Sequence, residues 1–226
     1  MTMKRNLLFL LLLGFLLTAA LPAAAAEDKT AEANATVKAA ETTLSNFLHD
    51  PNMHWLKAHF QDAKGILIIP DRNKGGFIFA GSGGVGVLMA KLPDGRWSQP
   101  AFYKLGSVSV GLQIGGEHSE VILFIRSKKG LDSFLQSSVK LGGEASVAAG
   151  PVGEGTQAAT ADILSFSRTK GAFVGAALAG TVVKTGTTLN EAFYGKYVTP
   201  VDILVRAGVR NPKADALRQA LYEATR

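Results

Sequence analysis

Glycine is unevenly distributed in this chain. Of its 25 glycines, 23 lie between residues 65 and 195. Glycine weakens a strand unless the backbone has to bend or approach another backbone closely. Strongly curved sheets and closed barrels have that need. We therefore expect the middle of the chain to form a strongly curved antiparallel sheet or a small barrel.

Hydrophobic alternation supports the same interpretation. From Val108 to Ile114 every even-numbered residue is apolar, and the residues between them are small or polar. A period of two is typical of a strand with one face on a core. Residues 92–95 have the composition of a turn, and residues 131–141 have a helical pattern. Further apolar runs predict strands at 66–69, 77–80, 85–90, 121–125, 163–166 and 173–183.

Helical patterns flank the glycine-rich region on both sides. Apolar residues recur at three- and four-residue steps from Val37 to Phe47, which places them on one helix face. Asp50, Thr199 and Asn211 each precede a proline, a pattern that favours a helix start. The fold class is therefore α+β, with the sheet flanked by N-terminal and C-terminal helices. We divide the domain into a helical part 27–64, a β part 65–195 and C-terminal helices 196–226.

The first 26 residues have the three parts of a secretory signal peptide. Lys4 and Arg5 give a positive start, a Leu/Phe-rich run covers residues 7–17, and small residues offer cleavage after Ala26. An uncleaved anchor is the alternative, because about 20 apolar residues can span a bilayer. The short apolar run favours cleavage. We therefore expect an exported, periplasmic protein with a single domain at 27–226.

Composition narrows the classes of partner. The chain has no cysteine, so neither a disulfide nor lipid attachment at a cysteine is expected. Without Lys4 and Arg5, 22 basic residues face 18 acidic ones, a net charge of +4. A mildly basic domain favours an anionic surface such as phospholipid. Nucleic acid is not an expected partner, since no dense basic run interleaved with aromatic residues occurs.

A nucleotide-binding pattern occurs, but its surroundings do not fit. Residues 81–86 match G-x-G-x-x-G. The motif needs a helix immediately after the glycines, because the helix N-terminus receives the pyrophosphate. Only six residues separate Gly86 from Pro93, and they have the pattern of a strand. We therefore expect no nucleotide and no other cofactor.

No catalytic motif stands out either. The sequence has no G-x-S-x-G elbow, no cysteine nucleophile and no H-E-x-x-H zinc motif. Residues 117–120 cluster polar groups, but they follow two glycines and are interpreted as a turn between strands. We interpret Trp97 as a core anchor, with a membrane-interface position as the alternative. We expect neither an enzyme nor a metal site.

Basic residues beside glycine-rich turns are the remaining candidates for a binding site. They are Arg72, Lys74, Arg168 and Lys170. Backbone N–H groups of flexible glycine turns, with a neighbouring cation, can hold a phosphate. Ordinary solvated turn charges are the alternative explanation.

A series of glycine-rich motifs follows in a fixed order along the chain. They are found at residues 74–77, 83–86, 94–101, 110–115, 148–153, 166–171 and 193–195. In this order the chain, from about Glu32 to Tyr197, resembles the SYLF domain family of lipid-binding proteins. Phe166 and Glu120 stand where many members have tyrosine and aspartate.

The resemblance implies binding to phospholipid membranes and no catalytic residues. Our first hypothesis is thus a module for anionic phospholipid in the bacterial cell envelope, with phosphate contacts at the four basic residues above. The amphipathic segment 36–49 is expected to pack on the sheet, with the lipid headgroup region as the alternative. Other hypotheses are an envelope structural or adaptor protein with an unknown protein partner, and a carrier of an apolar ligand inside the barrel. The actin role of some eukaryotic members is not expected here.

Overall fold

The computed structural model describes residues 27–75, 79–110, 117–151, 160–169, 172–174 and 178–226. The signal-peptide prediction lies outside these residues. Their helices are α1 (27–49), α2 (His54–Ala58), α3 (Lys128–Ser133), α4 (Thr187–Tyr194), α5 (Pro200–Leu204) and α6 (Asp215–Ala224). Their strands are β1 (Gly65–Gly75), β2 (Phe79–Ala90), β3 (Ala101–Val110), β4 (Glu117–Ile125), β5 (Ser138–Lys140), β6 (Val147–Ala149), β7 (Ile163–Thr169), β8 (Ala172–Val174) and β9 (Val182–Thr185).

The strands form one sheet that curls strongly into a half-barrel. Its order is β5-β9-β3-β2-β1-β4-β7-β6, and β8 pairs with β7 outside this path. All neighbours are antiparallel except β6 and β7, which are parallel. The α+β class and the curved sheet are therefore confirmed, with one parallel pair added. No helix in the described ranges has the length and apolarity needed to span a bilayer.

Side chains pack on both faces of the central strands. In β1, Ile66 and Ile68 join one apolar cluster, whereas Leu67 and Ile69 join a second cluster on the opposite face. Residues of α1 and α6 cover the first face, and residues of α5 and the segment around Phe134 cover the second. Because both faces are covered, residues 66–69 of β1 form a continuous apolar run rather than an alternating one. The central strands thus carry core side chains on both faces.

The G-x-G-x-x-G pattern lies within strand β2. A methyl group on Gly86 would lie 2.6 Å from the Ile68 carbonyl oxygen, so only glycine allows the approach of β2 to β1. The register between these strands shifts from Ile68 to Asp71 at this point. Gly86 therefore serves strand packing, and the predicted strand after the glycines is confirmed.

Local sequence signals at turns and helix starts are confirmed. Gly95 has a φ of +82° and its N–H donates to the Leu92 carbonyl at 2.9 Å, which closes the predicted turn. The Asp50 side chain accepts from the N–H of Asn52 and begins the 3-10 turn before α2. Thr199 forms a capping box at the start of α5.

Two predicted elements are wrong in extent. The predicted helix 131–141 is replaced by α3, which ends at Ser133, and by strand β5, whose residues pair with β9. The predicted strand 173–183 is interrupted by a turn that contains Gly180 at a φ of +86°. In both places pairing between distant segments, rather than local pattern, decides the structure.

Candidate functional site

Helix α1 lies on the sheet through its apolar face. Val37 is only 2% exposed, and Leu44 and Phe47 are fully buried in the first apolar cluster. Polar residues occupy the outer side of the helix, where the Lys38 ammonium lies 3.0 Å from the Glu41 carboxylate. The expectation that this helix packs on the sheet is confirmed.

A polar bridge, made of Thr43, Asn46, Glu120 and Arg168, fastens α1 to two strands. The Thr43 hydroxyl and the Asn46 amide each donate to Glu120 Oε1 at 2.9 Å. Arg168 Nη1 donates to Glu120 Oε2 at 3.1 Å. One carboxylate of β4 thus joins the helix to β7. Hydrogen bonds to an ionised acceptor are stronger than neutral ones, so the bridge sets the position of α1 as well as its orientation.

The polar bridge bears on two sequence predictions, the turn at residues 117–120 and phosphate binding by Arg168. Residues 117–120 form the start of strand β4, so their interpretation as a turn is wrong. Glu120 and Arg168 face each other across β4 and β7, which explains why the carboxylate meets the guanidinium. Arg168 Nε is buried and has no hydrogen-bond partner among the described residues. Phosphate binding by Arg168 stays a prediction, for a side chain that already donates to Glu120.

The other predicted phosphate ligands lie at the glycine-rich end of the sheet or outside the described residues. Arg72 in β1 pairs in register with Gly84 of β2 and Ser119 of β4. Lys74, two residues on, pairs with Ser82 and Glu117 of the same strands. The fold thus places the backbones of Arg72 and Lys74 on β1 and that of Arg168 on β7, with β4 between them, whereas Lys170 lies outside the described residues.

An open groove lies between α1 and the first three strands. Its volume is about 730 Å³. The helix contributes the small apolar side chains of Ala35 and Ala39, and strand β2 contributes a floor without side chains at Gly83 and Gly84. The full set of lining residues is Glu32, Ala35, Thr36, Ala39, Pro70, Asp71, Gly83, Gly84, Val85, Lys104 and Leu105.

The groove combines apolar and charged groups. Glu32 on its helix side is neutralised by Lys29, whose ammonium lies 2.6 Å away. Lys104 on its strand side is exposed. The carboxylate of Asp71 also lines the groove, so the contact that the lining offers an anionic group is at Lys104, away from the acidic residues. The apolar side chains of Ala35 and Ala39 lie on the opposite, helix side.

The shifted ionisable groups have structural roles. The hydroxyls of Ser127 and Ser146 donate to Asp162 and lower the pKa of its carboxyl to about 2. Burial raises the pKa of the Tyr103 hydroxyl, which donates to the Phe134 carbonyl oxygen. Each of these two groups is hydrogen-bonded to its own neighbours, although Asp162 also lines a pocket together with Ser127 and Arg126. In the described part of the chain, no cluster of acidic and histidine side chains could hold a metal ion.

The structure confirms the interpretation of Trp97, whereas the roles of two charged residues were not predicted from the sequence. Trp97 is 1% exposed and belongs to the first apolar cluster, as expected for a core anchor. The roles of Glu120 and Lys104 were missed, because their neighbours come from distant parts of the chain. A charged residue within an otherwise apolar or glycine-rich strand was the only local signal available for either one.

Comparison with known proteins identifies related chains. A family model described as "Ysc84: Las17-binding protein actin regulator" matches residues 106–224. An SH3 domain-containing protein of Schizosaccharomyces pombe is 34% identical over 168 residues, which cover 71% of this chain and 39% of that protein. Protein YSC84 of Saccharomyces cerevisiae is 33% identical over 70% of this chain and 36% of its own length.

A human relative shows the same extent of similarity. The SH3 domain-containing YSC84-like protein 1 of Homo sapiens is 31% identical over 169 residues, or 72% of this chain and 49% of that protein. The chain therefore spans half or less of the length of these relatives. The similarity covers about seven tenths of this chain and leaves half or more of each relative unmatched.

Proposed function

This chain belongs to the Ysc84 family, the family of the SYLF domain, and from that premise we propose that it binds the surface of anionic phospholipid membranes. It acts without catalysing a reaction and needs no cofactor. In this proposal residues 1–26 direct its export, and it works in the periplasm of a bacterial cell envelope, where it is soluble or associated with the membrane surface.

The observation that carries the proposal is the groove beside α1. Its helix side is apolar at Ala35 and Ala39, and its strand side carries the exposed Lys104. A phospholipid has the matching parts, apolar acyl chains and, across the glycerol ester region, an anionic phosphate. The net charge of +4 expected after export adds attraction to an anionic surface.

The basic residues predicted from the sequence belong to the same proposal. Arg72 and Lys74 lie on the strand that borders the groove, and Arg168 lies two strands away from it. Together with Lys170 they would contact lipid phosphates around the glycine-rich end of the sheet. Backbone N–H groups of glycine turns with nearby cations are able to hold phosphate in this manner.

Co-sedimentation with vesicles tests the proposal. The protein is recovered from the periplasmic fraction of expressing cells, and mass spectrometry gives its N-terminus. We expect cleavage after Ala26, and binding to phosphatidylcholine vesicles that contain phosphatidylglycerol but little binding to pure phosphatidylcholine. Absence of binding, or equal binding to both vesicles, would overturn the electrostatic proposal.

A protein partner is the second candidate function. The matching family model is described by a protein partner, Las17, and by actin regulation. For this chain the partner would be an envelope protein held by an exposed surface, in the manner of an adaptor. A pull-down that recovers one envelope protein in stoichiometric amount, together with no vesicle binding, would favour this function over the first.

A further inference from the structure

Two lysines face each other across strands β3 and β9. Lys104 is directly opposite Lys184 in the antiparallel register. Opposite residues of such a pair have their side chains on the same face, with Cβ atoms about 4.5–5.5 Å apart. Both residues are exposed, while their neighbours Tyr103, Leu105 and Val183 are buried on the other face. The two ammonium groups therefore share one solvent-facing surface.

A third lysine extends this surface to the sheet edge. Lys140 of β5 is opposite Val182 of β9, and Ser138 is opposite Lys184. The buried Val139 and Val183 point to the second apolar cluster, so Lys140 and Ser138 lie on the face of Lys104 and Lys184. We call Lys104, Lys140 and Lys184 the lysine face. It spans three adjacent strands.

No described carboxylate neutralises the lysine face. None of its three lysines forms an ion pair with an acidic residue in the part of the chain that the structure describes. The Glu144 carboxylate contacts Lys140 through the backbone, accepting from the N–H of Lys140 at 3.3 Å, and not through the ammonium group. Like charges directly opposite on neighbouring strands destabilise a sheet, so the fold alone gives no reason for this arrangement.

Protection of the sheet edge against pairing with another chain explains only one of the three lysines. A lysine on an edge strand discourages pairing with another chain, and Lys140 lies on the edge strand β5. Lys104 lies two strands further in, on β3. It also lines the groove beside α1. The charged surface and the groove are therefore continuous through Lys104.

We propose that the lysine face binds the phosphate groups of anionic phospholipids, at the mouth of the groove. The inference rests on the proposed function and locates its main electrostatic contact away from the residues predicted from the sequence. Charge complementarity is the reason: among the described residues the three cations on one face have no acidic partner, and a lipid phosphate supplies the missing negative charge.

The test compares two pairs of substitutions that change the charge equally. One variant is Lys104→Gln/Lys184→Gln. The control is Lys64→Gln/Lys213→Gln, in which both lysines are exposed and form no ion pair with any residue that the structure describes. Lys64 precedes β1 at its other end, seven residues or about 23 Å along the strand from the groove residue Asp71. Circular dichroism melting checks that both variants fold, and removal of the Lys104–Lys184 repulsion should leave the melting temperature unchanged or higher.

Vesicle affinity is then measured for each protein with phosphatidylcholine vesicles that contain phosphatidylglycerol. A lysine near an anionic surface contributes about 1 kcal/mol, so the loss of two predicts affinity lower by about 30-fold at tenfold per 1.4 kcal/mol. The control is expected to stay within about threefold. Equal losses of affinity in both variants would overturn the assignment of phosphate binding to the lysine face. So would an unchanged affinity of Lys104→Gln/Lys184→Gln while the unmodified protein binds. Either result would leave the proposed function standing. Failure of the unmodified protein to bind these vesicles would overturn both.

Discussion

Replacing Glu120 by glutamine removes the charge that links α1 to β4 and β7, while the shape of the side chain is kept. The native carboxylate accepts hydrogen bonds of 2.9 Å from Thr43 and Asn46 and of 3.1 Å from Arg168. A hydrogen bond to a charged group contributes about 1.5–3 kcal/mol. Glutamine keeps one acceptor oxygen but turns an NH₂ group toward a donor. Because the two charged side chains are still 29% and 23% exposed, we expect the free energy of unfolding to fall by about 2 kcal/mol.

A double-mutant cycle separates the bridge from general effects of substitution. Arg168→Met alone leaves Glu120 without its guanidinium partner, and we expect a loss of about 1–2 kcal/mol. In the Glu120→Gln/Arg168→Met variant neither charge is left uncompensated. The combined loss should therefore be smaller than the sum of the single losses by about 1 kcal/mol.

Urea unfolding followed by tryptophan fluorescence gives these energies, and hydrogen exchange shows where they act. A loss of 2 kcal/mol corresponds to a melting temperature lower by about 4–8 °C for a domain of this size, and amides of α1 should exchange faster. Glu41→Gln is the matched control on the same helix, because its exposed pair with Lys38 contributes at most about 0.5 kcal/mol. A coupling energy near zero between Glu120 and Arg168, with unchanged hydrogen exchange in α1, would refute the role of the bridge in holding α1.

Three further substitutions, two at glycines and one at Asp162, test individual contacts of the fold. A Cβ at residue 150 would lie 2.2 Å from Cζ of Phe166, so Gly150→Ala should lose about 1–3 kcal/mol, and the Gly150→Ala/Phe166→Leu variant should lose less than the sum of the two singles in the same urea titration. Gly86→Ala meets the Ile68 carbonyl oxygen at 2.6 Å, where only backbone could move, so a loss of about 3 kcal/mol is expected as a lower melting temperature. The pKa of Asp162 is lowered to about 2 in the folded protein. Its contribution of about 2 kcal/mol is present above the unfolded value near pH 4, disappears as the pH falls toward 2, and should be missing from the stability–pH curve of Asp162→Asn. An unchanged midpoint in a glycine variant, or parallel pH curves, would contradict the contact concerned.

Local signals in the sequence predicted the elements that local physics determines. The cap at Asp50 and the turn at 92–95 depend on side-chain and backbone bonds within four residues, and both are confirmed. The apolar face of α1 follows from helical periodicity alone. Glycine content predicted a curved sheet, because close strand approach at a position such as Gly86 excludes any side chain.

Long-range pairing determined what the sequence pattern could not show. Residues 138–140 were placed in a helix, yet they form β5 because β9 lies beside them. Glu120 receives its partners from α1, at least 74 residues earlier, and from Arg168, 48 residues later. Lys104 and Lys184 become neighbours only through the β3–β9 register. A site of this kind depends on the topology of the sheet, so spacing along the chain does not reveal it.

The salt dependence of vesicle binding is the sharpest test of the proposal that the protein binds anionic phospholipid through its charges. Affinity of the protein without residues 1–26 is measured for vesicles with and without phosphatidylglycerol, at low and at high sodium chloride concentration. Salt screens exposed charges over about 10 Å at 0.1 M and about 3 Å at 1 M. We expect binding that requires the anionic lipid and weakens steeply as the salt concentration is raised. Binding that is unaffected by both lipid charge and salt would contradict the proposed electrostatic binding.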